Sequence, residues 1–405
     1  MDRKIVITGM NIISSLGLTL ETNWENLIKG KSGVKKINLF DPSDSLTKIA
    51  AQLPDNFDDY ADEKIKKRIR KQMTRVTQMC YICAAEAVEK SGVDIEALDK
   101  ERCAVILGVV HTGNKSVEED DVKNTIIKGM NNAMPAWISL RYKFEGPSLS
   151  LNTACSSAAY AIGLGYDLIK YNKADYVIVG GADSTINPEE INGFNELYAL
   201  STRNDEPEKA SRPFSKDRDG FVIGEGAGIL ILESEEHARR RGAKIYAELA
   251  GYATTNESYN IMAPMQDGEG MAKCMEKAIK NANIDTKDID YINAHGTSTT
   301  LNDKYETMAV KSLFKNHANN LMISSNKSML GHTIGASGAI EAVTTIMSIY
   351  NDIITPTINY DNPDPELDLD YVPNTARNKK INYALSNSFA FGGHNATLVL
   401  KSYNQ

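Results

Sequence analysis

The chain has 405 residues, 42% of them hydrophobic and 24% charged. That is globular composition, which excludes disordered, collagen-like and coiled-coil chains. Acidic residues outnumber basic ones, 53 to 45, and the formal charge of −8 argues against general nucleic-acid binding, which needs a basic face. The start, Met-Asp-Arg-Lys-Ile-Val-Ile-Thr-Gly, has no signal-peptide pattern. No stretch approaches the roughly 18 apolar residues of a membrane span. A soluble cytoplasmic protein is expected, larger than one domain of about 150 residues.

In chain order, Arg3–Met10 predicts a buried strand. Lys64–Arg75, KIKKRIRKQMTR, is a basic run in an acidic protein. Thr77–Lys90 has apolar residues at helical spacing, including Cys80 and Cys83. This lone C-x-x-C has no second pair to complete a zinc site, so both cysteines are expected in the core. The five cysteines are an odd number, which does not suit a disulfide framework. A strand is expected at Cys103–Val109, a small-residue helix at Cys155–Lys170 and a strand at Asp175–Gly180.

The second half echoes the first. Lys244–Thr254 opens it as a strand, followed by helix Gly270–Ala282, strand Ile289–Ala294 and small-residue helix Gly335–Tyr350. Strands Tyr383–Asn387 and Ala396–Leu400 close it. Alternating helices and continuous apolar strands predict an α/β fold with sheets covered by helices. The echo predicts a duplication, with halves at 1–243 and 244–405.

Four segments carry chemistry. In Ser148–Lys170 an alternating strand runs through Asn-Thr-Ala-Cys into a helix, which places Cys155 in the first helical turn. A helix N-terminus favours a thiolate and an adjacent oxyanion. Burial as a structural cysteine is the alternative at this point. His295 ends the strand in DYINAHGTSTT, and Lys327 and His332 lie in ISSNKSMLGHTIGA. Strand carboxyl ends are where α/β sheets place ligand sites. In SNSFAFGGHNA, Phe389 and Phe391 flank a turn with Gly392 and Gly393. That pattern suits a movable loop presenting an aromatic ring and backbone amides.

NTACSSA, NAHGTST, NKSMLGHTIGASG and NSFAFGGHNA, in this order, resemble the β-ketoacyl-acyl-carrier-protein synthases, closest to synthase II. ALSTRND (199–205), ASRPFSKDRDGFVIGEGAG (210–228) and HARRRGAKIYAELAG (237–251) extend the resemblance over nearly the whole chain. It implies a duplicated thiolase-like fold with α-β-α-β-α layers, and an acyltransferase acting as a 3-oxoacyl-carrier-protein synthase.

The implied reaction is a decarboxylative Claisen condensation. Cys155 carries the acyl group, and His295 and His332 stabilise the enolate of malonyl-carrier protein. Lys327 keeps the histidines neutral. Glu341 either pairs with Lys327 or belongs to a structural network. The amides of Cys155 and Phe391 form a second oxyanion hole. No metal or organic cofactor is implied, since the substrates ride on the phosphopantetheine arm of acyl carrier protein. Lys64, Lys67, Arg68, Lys71 and Arg203 are expected at the carrier-protein docking surface. A homodimer, or a heterodimer with a homologous ketosynthase-like subunit, is implied, with no nucleic-acid or membrane partner.

The resemblance also separates relatives. No cysteine follows Cys274 to act as a thiolase base. The NKSMLGH segment supplies a second histidine, which Cys-His-Asn synthases lack. Cys155 distinguishes the chain from a nucleophile-less chain-length factor.

Three positions depart from the family pattern. Ala390 stands where the family has glycine in the gate loop, and a Cβ restricts positive φ. His111 falls where the family has an apolar residue at the end of the acyl pocket. Asn114–Met134 is shorter and more acidic than expected. Two readings follow: a fatty-acid elongating synthase, or the ketosynthase (alpha) subunit of a type II polyketide or other specialised pathway, acting with a chain-length-factor subunit.

Overall fold

The computed structural model describes residues 3–112 and 122–403. The first half holds strands β1 (Ile5–Ile13), β2 (Lys35–Lys36), β3 (Ile49–Ala50), β4 (Cys103–Gly108), β5 (Ser148–Leu151), β6 (Tyr176–Ser184) and β7 (Glu225–Ser234). The second holds β8 (Ala247–Asn256), β9 (Tyr291–Asn293), β10 (Met322–Ser324), β11 (Ile353–Ile354), β12 (Arg377–Asn378), β13 (Tyr383–Ala390) and β14 (His394–Lys401). Strands β2–β3 and β11–β12 form small separate ribbons.

The other strands form two five-stranded sheets with one topology. The order is β1-β7-β6-β4-β5 in the first half and β8-β14-β13-β9-β10 in the second. In each, the first two pairings are antiparallel and the last two parallel. The expected duplication is therefore present strand for strand. The sheets join where β1 pairs antiparallel with β8, Ile5 opposite Leu249 and Ile7 opposite Ala247.

Helices of the first half are α1 (Leu20–Ile28), α2 (Phe57–Lys64), α3 (Lys67–Arg70), α4 (Arg75–Ser91), α5 (Val122–Gly129), α6 (Ala133–Tyr142), α7 (Ser157–Lys170), α8 (Pro188–Glu196) and α9 (Glu235–Arg240). The second half adds α10 (Glu269–Asn281), α11 (Thr300–Phe314), α12 (Lys327–Leu330) and α13 (Ser337–Asn351). Helix α4 covers the outer face of the first sheet, and α10, backed by α11, covers that of the second. Between the sheets lie α7 and α13, packed on each other. These are the five layers that the resemblance implies.

The middle layer explains the small-residue helices. A helix between two sheets has no solvent face, so it must be apolar all round. Close approach then needs missing side chains: a Cβ on Gly338 of α13 would fall 2.8 Å from the Ala159 amide nitrogen of α7. The same crowding hides β7 in the sequence. A Cβ on its Gly228 would fall 2.6 Å from the Ile340 amide nitrogen of α13. The run Gly-Glu-Gly-Ala-Gly thus masks a buried strand that the sequence pattern does not predict. Cys80 and Cys83 lie fully buried in α4, in the core of the first half.

Candidate active site

The loops after β4, β5, β9 and β10 all open from the carboxyl ends of parallel strands and meet at a cavity of ≈ 480 Å³. Residues from both halves line it. Val110, His111, Phe194, Leu197, Phe221 and Cys155 come from the first, and His295, Thr297, His332, Phe389, Phe391 and Asn395 from the second.

Cys155 stands two residues before α7 begins, not in its first turn, because Ser156 is the N-cap. The turn before it is sharp. Ala154 adopts φ 51°, a left-handed conformation that costs a side chain energy. Hydrogen bonds hold it: Thr153 N–H donates to Ser157 Oγ at 2.9 Å, and Ala154 N–H donates to Asn152 Oδ1 at 3.1 Å. The sulfur therefore projects into the cavity ahead of the positive end of α7. Burial pushes its pKa up to about 12, against the pull of Lys327 and of the Cys155 and Phe391 backbone amides. The resting group is a thiol.

Cys155 Sγ and one ring nitrogen from each of His295 and His332 lie within 4.8 Å of one another. Among the described residues they are the one cluster with soft-metal ligand types, but Lys327 already sets a cation beside them. His295 is fixed from behind. Its backbone amide and that of Gly296 donate to the buried Glu306 carboxylate of α11 at 2.9 and 2.8 Å. Lys327 Nζ lies 3.4 Å from His295 Nδ1 and contacts the Glu341 carboxylate. An ammonium can only donate, so Nδ1 is the acceptor and the ring proton sits on Nε2. His332 Nδ1 lies 2.9 Å from Ser337 Oγ, and its buried Nε2 has no partner among the described residues. If the Ser337 hydroxyl donates, this ring too carries its proton on Nε2.

Both imidazoles stay neutral. Burial lowers the pKa of each well below the usual histidine value, and the Lys327 charge adds to the effect. Burial pushes Glu341 the other way, up to about 7, with Lys327 opposing. The site thus holds one thiol and two neutral imidazoles in a cavity with a mostly apolar wall. It can form a thioester and stabilise an oxyanion.

Phe391 borders the cavity and is partly exposed, while Phe389 is buried and packs edge-on to His295 at 6.1 Å. Ala390 is extended, with φ −121° and ψ 157°. Its Cβ therefore carries none of the strain that its place in the loop suggests. Positive φ falls on Gly392 and Gly393, at 79° and 72°. The loop is clasped by Gly392 N–H donating to Ile261 O at 2.7 Å and Glu257 N–H donating to Gly393 O at 3.0 Å.

His111 lines the cavity, with Nε2 3.4 Å from Glu190 Oε1 of the same chain. Lys67, Arg68 and Lys71 are exposed around α3. Lys64 contacts Glu86 at 3.4 Å, and Arg203 reaches Asp217 at 3.2 Å and Asp219 at 3.7 Å. These two are thus engaged within the chain. Of the acidic stretch 114–134, residues 114–121 lie outside the described residues.

Sequence reasoning did not find Glu306, Ser337, Glu190 or Asp183. Each resembles a surface polar residue in the sequence; burial distinguishes Glu306, Ser337 and Asp183, and only its contact with His111 distinguishes the part-exposed Glu190. The buried Asp183 carboxylate accepts from the Val110 and Gly335 amides at 3.2 and 3.0 Å, joining the loops that carry His111 and follow His332.

The β-ketoacyl synthase N-terminal domain model matches residues 2–238, and the C-terminal domain model matches 246–361. The chain is 41% identical to 3-oxoacyl-[acyl-carrier-protein] synthase 2 of Synechocystis sp., covering 99% of this chain and 98% of the relative. It is 42% identical to the synthase of the same name from Coxiella burnetii, covering 98% of each. Among solved structures, it resembles a type II polyketide acyl-carrier protein in complex with its ketosynthase bound to the hexaketide, with TM-score 0.91, 31% identity and full coverage of both chains. It also resembles the ishigamide ketosynthase/chain length factor, with TM-score 0.90, 32% identity and full coverage of both. The chain belongs to the β-ketoacyl synthase family.

Proposed function

We propose that this chain is an elongating ketosynthase that condenses malonyl-acyl-carrier protein with an acyl group held on Cys155. The observation that carries this reading is the meeting of the Cys155 thiol with two neutral, buried imidazoles beside Lys327. The Cys155 thiol attacks the acyl thioester, and its proton leaves with the carrier thiol. The Cys155 and Phe391 amides face the sulfur and hold the oxyanion of this step. Malonyl thioester then loses carbon dioxide. His295 and His332 donate from Nε2 to the enolate oxygen. The enolate carbon attacks the acyl-cysteine carbonyl, and the Cys155 sulfur leaves and takes up a proton. The product is a 3-ketoacyl chain two carbons longer. Lys327 orients His295 and Glu341 balances the Lys327 charge. Phe389, Phe391, Gly392 and Gly393 gate the cavity.

The residues themselves complete this chemistry, with no metal or organic cofactor in any step. Acyl carrier protein docks on exposed Lys67, Arg68 and Lys71, with Lys64 beside them and Arg203 holding Asp217 and the cavity-lining Asp219. The boundary of the halves lies at 243/244, between α9 and β8. The working form is a dimer, of like chains or with a homologous subunit. Among the described residues no helix is long and apolar enough to cross a membrane, in keeping with a cytoplasmic enzyme. His111 in the cavity wall supports the second reading, a ketosynthase of a specialised pathway.

Intact-protein mass spectrometry tests the assignment. The purified chain is given acetyl- and fatty-acyl-carrier protein, then malonyl-carrier protein. An acyl adduct on Cys155 followed by a 3-keto product is expected. Absence of any acyl adduct on the folded protein would refute it.

A further inference from the structure

His332 is pinned along its backbone and packed along its ring. Its amide donates to Val222 O at 2.7 Å, and its carbonyl accepts from the Gly224 amide at 2.9 Å. The Phe221 and His295 rings pack edge-on to the imidazole, with ring centres 5.3 and 5.4 Å away. Nδ1 lies 2.9 Å from Ser337 Oγ, which in turn lies 3.1 Å from Thr333 Oγ1. His332, Thr333 and Ser337 are all buried. On this ring only Nε2 has no partner among the described residues.

Neither hydroxyl caps the helix it stands beside. Ser337 opens α13, and Thr333 stands directly before the short helical turn Ile334–Ala336, yet neither side chain accepts a cap hydrogen bond there. Serine and threonine at helix starts ordinarily take a backbone amide, and alanine caps poorly. Here Ala336 occupies the cap position of α13. The hydroxyls are instead committed to each other and to the imidazole.

Counting protons decides the direction of these bonds, since a hydroxyl has only one to give. If Ser337 donates to Nδ1, it accepts from Thr333, and both hydroxyl protons have an acceptor. The ring proton then sits on Nε2, on a side chain that lines the cavity. If Nδ1 donates instead, Ser337 must donate to Thr333. The Thr333 proton is then left without an acceptor among the described residues, away from the cavity. A buried donor without a partner is costly, so the first direction is favoured.

We infer that Ser337, backed by Thr333, is a positioning residue that holds His332 in the Nε2–H tautomer, the form that donates to the enolate oxygen. The hydrogen bond at one ring nitrogen sets which nitrogen carries the proton. The inference rests on the condensing reading above and deepens it. The two imidazoles are thereby backed differently, His295 by an ammonium and His332 by a pair of neutral hydroxyls.

The test uses the Cys155→Gln protein, in which carbon dioxide release from malonyl-carrier protein reports the imidazoles without acyl transfer. Adding Ser337→Ala should lower kcat about tenfold with KM nearly unchanged, the bias that one buried hydrogen bond gives an equilibrium. Ser337→Thr keeps a hydroxyl and should recover most of the loss, and Thr333→Val should lower kcat less than Ser337→Ala. In the chain with Cys155 intact, Ser337→Ala should leave acylation of Cys155 unchanged. NMR of isotope-labelled imidazole nitrogens is the second readout. The chain has six histidines, and His332→Gln assigns the signal. The wild type should show His332 protonated on Nε2, and Ser337→Ala a mixture of tautomers. Thermal melting of each variant reports folding. An Nδ1–H ring in the wild type would overturn the inference, as would unchanged kcat and tautomer in a folded Ser337→Ala protein. If folded Cys155→Gln releases no carbon dioxide, the condensing reading is contradicted, and the NMR tautomers decide this inference separately.

Discussion

The two halves share one strand order, and their equivalent loops can be compared directly. After the second strand of each sheet comes a histidine: His111 after β4, His295 after β9. After the third strand comes a residue of the reactive cluster: Cys155 after β5, His332 after β10. Position is shared, but environment is not. His295 is 2% exposed and faces the Lys327 ammonium. His111 is 46% exposed at its side chain and faces a carboxylate. Topology therefore delivers a polar side chain to the cavity at each of these loops. Burial and the neighbouring charge set the two apart: one is a buried, neutral imidazole beside a cation, the other a half-exposed ring beside a carboxylate.

Breaking the halves' division of labour should have the largest effect at the nucleophile. Cys155→Ala should abolish condensation in a carrier-protein assay, because no other thiol lines the cavity among the described residues. Condensation surviving in this variant would remove Cys155 from its role.

Next comes the charge that separates His295 from His111. Lys327→Met keeps the stem and removes the ammonium, freeing the His295 tautomer and leaving Glu341 unpaired. Decarboxylation should fall by roughly a hundred- to a thousandfold, the scale of one lost oxyanion donor. Acyl loading of Cys155 should suffer less. An equal loss in both steps would contradict the separation.

The buried carboxylates give a smaller, pH-dependent effect. Burial pushes Glu306 up to about 7 from 4.5. Between these values the folded protein binds more protons than the unfolded chain, so this group's contribution to stability declines as pH rises and levels off above about 7. Glu306→Gln removes that decline. The melting temperature of the variant relative to wild type should climb from pH 5 to pH 7 and then flatten. The two histidines work in the opposite sense. They stay neutral in the folded protein while the unfolded chain takes up protons below about 6.5, so their contribution is lost as pH falls. A relative melting temperature that is flat from pH 5 to pH 8 would place the Glu306 titration elsewhere.

The smallest effect belongs to the outer surface. Lys67→Ala and Arg68→Ala should each raise KM for the carrier protein a fewfold at low salt, with the difference fading as salt screens it. A change in kcat with KM unaltered would move the docking site away from α3.

Much of this was legible in the sequence because strands covered on both faces are continuous apolar runs and middle-layer helices are small-residue runs. The reactive residues stood out because each closes a strand in a Gly/Ser-rich loop. The exact seat of Cys155 was not legible, since Ala154 in a left-handed turn looks like any residue before a helix. Strand β7 was hidden by glycines that exist only because α13 lies on them. Glu306 and Asp183 were hidden for a different reason. A carboxylate that accepts backbone amides from a distant loop has no local pattern, and only the folded chain shows that it is buried.

The division of labour is tested most directly by carbon dioxide release from malonyl-carrier protein in two variants. Cys155→Gln imitates an acylated side chain, and the double variant adds His295→Ala. If the imidazoles of the second half form their own oxyanion site, Cys155→Gln alone should still release carbon dioxide and the double variant should not. Loss of release in a folded Cys155→Gln protein, or its persistence in the double variant, would contradict that assignment.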